Sequence, residues 1–454
     1  MNRLSFSDLR TGLEGRVITP DDTEYDVART VFYGGFDRHP ALIVRAKNAA
    51  DVARTIHLAR ESGLDLAVRS GGHSLAGHSV SEGGIVLDLS EMRALGIDVH
   101  TKTAWAETGL TAGEYTKAAG EYNLATGFGD TGSVGIGGIT MGGGIGFLVR
   151  KYGLTIDDLL GADMVTADGE VLRVDAENHP DLFWAIRGGG GNFGVATRFK
   201  FRLHEVDSVV GGMLMLPATA QTIASFMAEA EAAPDELSAI ANILPAPPMP
   251  FIPPELHGKM IMMTIMVYAG PVEAGERAVA PFRSFTQPLM DQIKPMRYPE
   301  IYQPEQEGYH PLAASRSMFL DTVDLHTAEN ILDHLRGSTA QMAVAQLRAL
   351  GGAMARVPVE ETAFAFRNRR IMANIAALYT QPDQAAEQEA FITEFADSLR
   401  QGEPGVYVNF LGNEGEDRIR EAYPAATWDR LVAVKKRYDP TNLFHLNHNI
   451  PPVS

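Results

Sequence analysis

The sequence predicts an α+β protein in which both ends of the chain build one glycine-rich domain and the middle forms an inserted α+β layer domain. Three observations predict this. The chain has 454 residues, beyond the roughly 250–300 that one hydrophobic core usually serves. Its 45 glycines cluster ahead of residue 206, where short apolar runs alternate with helical patterns, and thin out after it. A dense motif pattern returns near the C-terminus. The boundaries that follow are 1–206 and 411–454 for the two parts of the glycine-rich domain, and 207–410 for the insertion.

The elements follow in order. The apolar run at 41–45 predicts a strand. Helical spacing over 48–62 predicts a helix ended by Gly63, whose access to positive φ suits a C-cap. Strands are predicted at 66–69 and 84–89. Residues 164–173 alternate on either side of Ala167-Asp168-Gly169, which predicts a hairpin. A short amphipathic helix is expected at 180–186, and strict alternation over 195–203 predicts a strand. Within the insertion, 220–233, 327–335 and 384–399 read as helices and 342–350 as a strand. The methionine-rich stretch 260–266 alternates like a strand and reads as core. Tyr379 ends an apolar run that predicts an adjacent strand. Residues 405–410 alternate too, placing Tyr407 and Asn409 on one face and Phe410 on the other.

Composition excludes several functions. Apolar residues make up 45% and charged residues 21%, an ordinary globular balance. The formal net charge of −18 repels phosphate backbones and anionic lipid, so neither nucleic acid nor a membrane is an expected partner. No run of ~18 apolar residues reads as a membrane span. The chain lacks cysteine, which removes disulfides, thiolate nucleophiles and thiolate metal sites and makes a cytoplasmic location the expectation. The first ten residues hold no apolar stretch of signal-peptide length. Oligomeric state, a homo-oligomer included, is left open.

The glycines fall in three clusters, at 69–79, 127–146 and 187–194. The third contains G-x-G-x-x-G at Gly189, Gly191 and Gly194, but a predicted helix precedes it and a predicted strand follows, the reverse of a Rossmann site. No P-loop, H-E-x-x-H or G-x-S-x-G motif is present. Glycine-packed backbone beside strands exposes N–H groups with no Cβ in the way, a surface for an extended phosphate-containing ligand. His73 follows a predicted strand directly and projects from the Gly71-Gly72-His73-Ser74 turn.

Four motifs in combination carry a resemblance: Arg69-Ser-Gly-Gly-His73; the 127–146 glycine run with Arg150-Lys-Tyr-Gly-Leu154 behind it; the 179–194 segment; and the tail 428–451. Together they resemble the FAD-linked oxidases of the vanillyl-alcohol oxidase and p-cresol methylhydroxylase superfamily, in the berberine bridge enzyme branch. The resemblance implies the p-cresol methylhydroxylase-type two-domain FAD-binding fold, with an antiparallel sheet covered by helices as the inserted substrate domain. It implies FAD joined covalently to an imidazole nitrogen of His73. Doubly linked relatives carry a cysteine where Thr131 stands. A single linkage therefore follows, a pattern similar to the 6-hydroxy-D-nicotine oxidases, with a less oxidising flavin.

The cofactor contacts implied are Arg69, Ser70, Gly71, Gly72, His73, Ser74, His78 and Ser79 from the first cluster. The second supplies Gly129, Asp130, Thr131, Val134, Gly135, Gly137, Gly138, Gly142, Gly143, Gly144 and Gly146. Gly194, Val195, Asn447 and Asn449 complete the set, the two asparagines pointing the same way from an extended tail. The pyrophosphate is expected along the N–H groups of 70–73 and 135–138. Val134 stands at the family's oxygen gate, where a small residue goes with O2-using oxidases.

Such an oxidase moves hydride from a substrate C–H to the flavin while a base takes the neighbouring proton. The implied substrate is an alcohol, amine or phenolic small molecule, with O2 as co-substrate and H2O2 released. A dehydrogenase with another acceptor, or a flavin carrier without turnover, stays open. Candidates for the catalytic wall are Tyr407, Asn409, Gln346, Arg348 and Tyr379. Carbohydrate-oxidising members tend to carry a tyrosine base where Phe410 stands, a departure that counts against sugar oxidation and against the simple tyrosine-base mechanism.

Overall fold

The computed structural model describes residues 12–303 and 308–453; the N-terminal stretch read above for a leader, 1–10, lies outside them. A four-stranded sheet comes first. It is built from β1 (Arg16–Ile18), β2 (Leu42–Arg45), β3 (Leu66–Arg69) and β4 (Ile85–Asp88) in the order β1-β2-β4-β3. The helix Ala49–Ser62 supplies the crossover that lets β2 and β3 both run parallel to β4. Asn48 caps that helix by accepting from the Asp51 N–H at 2.9 Å, and Gly63 ends it at φ 69°.

A five-stranded antiparallel sheet follows: β5 (Leu95–Asp98), β6 (Thr103–Glu107), β8 (Leu159–Val165), β9 (Val171–Val174) and β10 (Val195–Arg202), ordered β5-β6-β10-β8-β9. A small ladder of β7 (Leu124–Ala125) with β11 (His204–Glu205) lies beside it. The helices Ala112–Gly120, Pro180–Ala185 and Ala425–Tyr438 bury their apolar sides in one core with this sheet. The last of them brings the C-terminal tail back to the glycine-rich half.

The third sheet is antiparallel throughout. It comprises β12 (Val209–Pro217), β13 (Leu237–Pro245), β14 (Met260–Tyr268), β15 (Met290–Asp291), β16 (Lys294–Met296), β17 (Leu312–Leu320), β18 (Met342–Ala349) and β19 (Ile371–Tyr379). The order is β15-β12-β14-β13-β18-β19-β17, with β16 also on β12. Side-chain alternation splits its faces. Ala343, Ala345 and Leu347 of β18 and Ala373, Ile375 and Ala377 of β19 pack under the helices Ala220–Ala232, Val272–Ser284, Leu325–Gly337 and Ala385–Ser398. Gln346, Arg348, Asn374 and Ala376 turn the other way, towards the glycine-rich half. The methionine-rich strand β14 is core as expected, Met262 and Met266 being fully buried.

One predicted strand is absent. Residues 405–410 join no sheet, and Val408–Phe410 is a single 3-10 turn. Gly405 packs so tightly on Phe366 that a Cβ there would lie 2.6 Å from the ring, and tertiary packing overrides the local pattern.

Candidate active site

The β3 strand ends at Arg69 and releases the 70–79 loop; the second glycine run crosses it. The two backbones touch: a Cβ on Gly71 would lie 2.2 Å from the Gly135 nitrogen, and one on Gly135 would lie 2.2 Å from both the Gly71 nitrogen and Ser70 Oγ. Only glycine permits that approach. Ser70 Oγ pins the crossing, donating to the Thr108 carbonyl at 2.5 Å and accepting from the Gly137 N–H at 3.3 Å. At Gly138, by contrast, a Cβ would meet no heavy atom within 4 Å.

A cavity of about 510 Å³ runs from these loops to the bare face of the third sheet. His73 stands on its wall, with its ring stacked on Phe32 at 4.1 Å and Nε2 2.9 Å from Ser133 Oγ of the opposing glycine run. Thr131 and Val134 line the same stretch. His78 and His448 face the cavity with their rings 4.9 Å apart. Burial pulls their pKa values down, to about 3 for His78 and about 4 for His448.

The C-terminal tail is fastened by Asn192, which donates to the Gly189 and His448 carbonyls and accepts from the Ile450 N–H at 2.9 Å. Beneath it Lys435 and Asp439 form a fully buried ion pair at 2.6 Å, with Lys435 also donating to the carbonyls of Asn192 and Phe444. This holds Leu446, Asn447 and His448 against the cavity.

At the sheet end, Arg348 donates from Nη2 to Asp130 Oδ2 at 2.5 Å and from Nε and Nη2 to Gln346 Oε1. Gln346 passes the chain on to Asn242 Oδ1 at 2.9 Å. Phe410 lies under the Arg348 guanidinium, 5.1 Å to the ring centre. The Tyr407 hydroxyl accepts from the N–H groups of Gly144 (2.9 Å) and Ile145 (3.2 Å) and from Asn409 Nδ2 (2.9 Å). Burial raises the Tyr407 pKa, while those donors and Arg348 work against the rise.

The sequence-predicted residues divide on this geometry. Ser70–Ser74, His78, Ser79, Gly129, Asp130, Thr131, Val134, Gly135, Gly137, Gly138, Gly194, Val195, Asn447, Gln346, Arg348, Tyr407 and Asn409 all line the cavity. Arg69 does not; it is buried behind the loop on Asp88 at 3.0 Å. Gly142, Gly143, Gly144 and Gly146 stand behind the wall, where Cβ atoms would strike Asn409, Phe364, Thr155 and the Phe128 carbonyl. Asn449 also lies off the cavity, because the tail bends at 446–448 and three successive residues face inward. Tyr379 sits in an adjoining pocket of about 190 Å³ with Arg316 and Glu389. Phe410 shares the cavity with Tyr407 and Asn409, since the 3-10 turn breaks the expected alternation.

Sequence reasoning missed Phe32, Tyr33, Ser315, Asn374 and His448 as lining residues. Asn374 was reachable, because it pairs directly with Gln346 across the sheet. Phe32 and Tyr33 sit on a loop without periodicity and gave no signal.

The residues fit an extended dinucleotide. The crossing glycines bring two loops of bare backbone together at the cavity, Gly138 leaves open space there, and the buried His78 Nδ1 and Asn447 Oδ1 have no hydrogen-bond partner among the described residues.

Comparison with known proteins agrees. Residues 40–175 match the FAD binding domain family, and residues 406–451 match the berberine and berberine-like family. (R)-6-hydroxynicotine oxidase of Paenarthrobacter nicotinovorans is 30% identical over 459 residues, covering 97% of both chains. Berberine bridge enzyme-like 17 of Arabidopsis thaliana is 27% identical over 91% of this chain and 85% of its own. The crystal structure of 6-hydroxy-D-nicotine oxidase from Arthrobacter nicotinovorans superposes with a TM-score of 0.84 at 27% identity, over 97% of this chain and 98% of that one. BBE-like 1 of Physcomitrella patens shares the fold at a TM-score of 0.87 and 22% identity, over 97% of each chain.

Proposed function

The chain belongs to the FAD-linked oxidoreductases related to berberine bridge enzyme, and from that membership we propose an O2-using oxidase that holds FAD by a single covalent bond to His73. Its substrate is an alcohol, amine or phenolic small molecule, and H2O2 is released. Bound FAD would supply the two-electron acceptor for hydride from a substrate C–H, with O2 as the final oxidant.

The observation that carries this reading is His73 on the cavity wall, bonded to Ser133 of a glycine run that carries Thr131 and no cysteine. Val134 on the same wall supports O2 as acceptor. The N–H groups of 70–73 and 135–138 would hold the pyrophosphate, with His78 and Asn447 satisfying polar edges of the cofactor. Gln346, Arg348 and Asn374 would face substrate. Tyr407 is assigned as the group that takes the substrate proton: in its ionised form the oxygen would be held by three N–H donors against the opposing effect of burial, and accepting the proton would return it to the neutral phenol.

The division of labour at 206/207 and 410/411 belongs to the same reading, supported by the third sheet lying wholly within Val209–Tyr379. No helix among the described residues is long and apolar enough to cross a membrane. A cytoplasmic location is proposed on the absence of cysteine.

The test is anaerobic photoreduction followed by rapid mixing with aerated buffer. Reoxidation within seconds, with one H2O2 per flavin, is expected. A reduced protein that persists for minutes in air would be a dehydrogenase instead.

A further inference from the structure

Strand alternation puts Gln346 and Arg348 of β18 and Asn374 of β19 on the cavity face, with Gln346 paired directly opposite Asn374. Arg348 and Asn374 are therefore diagonal neighbours, about 7–8 Å apart in such a ladder. The hydrogen bonds at this end are unevenly spent. Gln346 uses both ends of its amide, its oxygen on Arg348 and its nitrogen on Asn242. Asp130 has one oxygen on Arg348, and Asn374 Oδ1 accepts from Ser315 Oγ at 2.8 Å.

On the two strands what is left over consists of donors, while the second oxygen of Asp130, on the facing glycine run, accepts from Thr131 Oγ1 at 3.3 Å. Among the described residues, neither Arg348 Nη1 nor Asn374 Nδ2 has a hydrogen-bond partner, and neither is sealed from the cavity. Of the cavity-lining residues named, Asp130 is the carboxylate, and Arg348 already holds it at 2.5 Å. A cationic group placed here would stand against a guanidinium whose counter-charge is taken, whereas a carboxylate would meet two donors on adjacent strands, one of them charged.

We propose that this wall recognises a carboxylate on the substrate, with Arg348 and Asn374 as the residues that set specificity and protonated amines disfavoured. The inference rests on the oxidoreductase reading above, which makes the cavity's occupant a substrate, and it narrows the substrate class. Asp130 acts as the moderator. Neutralising it leaves Arg348 uncompensated, and neutralising Arg348 leaves Asp130 uncompensated, so the two changes move binding in opposite directions. A merely damaged fold would not produce that pair of signs.

The probes are benzoate and benzylammonium, similar in size and opposite in charge, titrated calorimetrically into the purified holoprotein. The wild type is expected to bind benzoate at least about tenfold tighter than benzylammonium. Asp130→Asn should tighten benzoate by about fivefold or more. Arg348→Met should weaken benzoate about tenfold and bind benzylammonium better than the wild type does. The proposal is overturned by equal or tighter binding of benzylammonium to the wild type, by no measurable benzoate binding, or by a benzoate affinity that neither substitution moves. A colourless protein would sink the function proposed above while leaving this charge dependence readable. A yellow protein that prefers the amine would sink the present inference alone.

Discussion

At Gly138 an added Cβ would meet nothing within 4 Å, whereas at Gly135 it would sit 2.2 Å from the nitrogen of Gly71. The two positions therefore separate folding from cofactor binding. Gly138→Ala should leave the urea midpoint unchanged or slightly higher, since alanine favours the helix Ile136–Met141, yet lower the flavin content by filling the cavity. Gly135→Ala should prise the loops apart and lower both, by several kcal/mol in stability. Absorbance at the flavin band against protein concentration, paired with urea unfolding, reads the difference. Tyr407→Phe removes the acceptor of three N–H donors. It should lower kcat by about 10²-fold or more with flavin content retained, as single-turnover reduction would record.

Between elements, Arg150, just behind the second glycine run, adds to the Arg348–Asp130 pair in tying that half to the third sheet. It donates to the Leu350 carbonyl just past β18 at 2.8 Å and to the Ala233 carbonyl that caps the helix Ala220–Ala232 at 2.6 Å. The fit is close enough that a Cβ on Gly352, at φ +59°, would lie 2.2 Å from the Arg150 carbonyl oxygen. Arg150→Met should cost about 2–3 kcal/mol in urea unfolding, because buried carbonyls lose charged donors. Local pattern carried most elements: the helix Ala49–Ser62, the strand β10 and the core strand β14 all follow from period and capping residues in their own stretch. It failed at 405–410, where contacts with Phe366 and the glycine run decide the backbone, and at the tail, where Asn447 donates to the Phe444 carbonyl and Asn192 to the His448 carbonyl across a segment that reads as extended. The end of the cavity proposed for the cofactor was legible as a meeting of loops, because glycine clusters mark close backbone approach. The sheet end was not, because Tyr33, Ser315 and Asn374 owe their place to sheet register and loop packing, which no single segment encodes.

For the whole molecule, the two histidines facing the cavity tie stability to pH. Burial lowers His78 from 6.5 to about 3 and His448 from 6.5 to about 4. Below 6.5 the unfolded chain thus binds protons that the folded one refuses. Stability from this source is complete above 6.5 and falls as pH drops towards the folded values. By about pH 5 the loss is about 2 kcal/mol per ring. Urea midpoints measured across that range should decline, and His78→Asn should flatten the slope. A slope that rises on acidification would contradict burial of these rings as neutral imidazoles.

The account depends most on the bond proposed between His73 and the cofactor. Acid precipitation of the purified protein, followed by fluorescence of the washed, redissolved chain, tests it directly. Yellow, fluorescent polypeptide from the wild type and colourless polypeptide from His73→Ala are expected. Pigment released wholly into the supernatant from the wild type, or retained equally by the variant, would contradict the linkage.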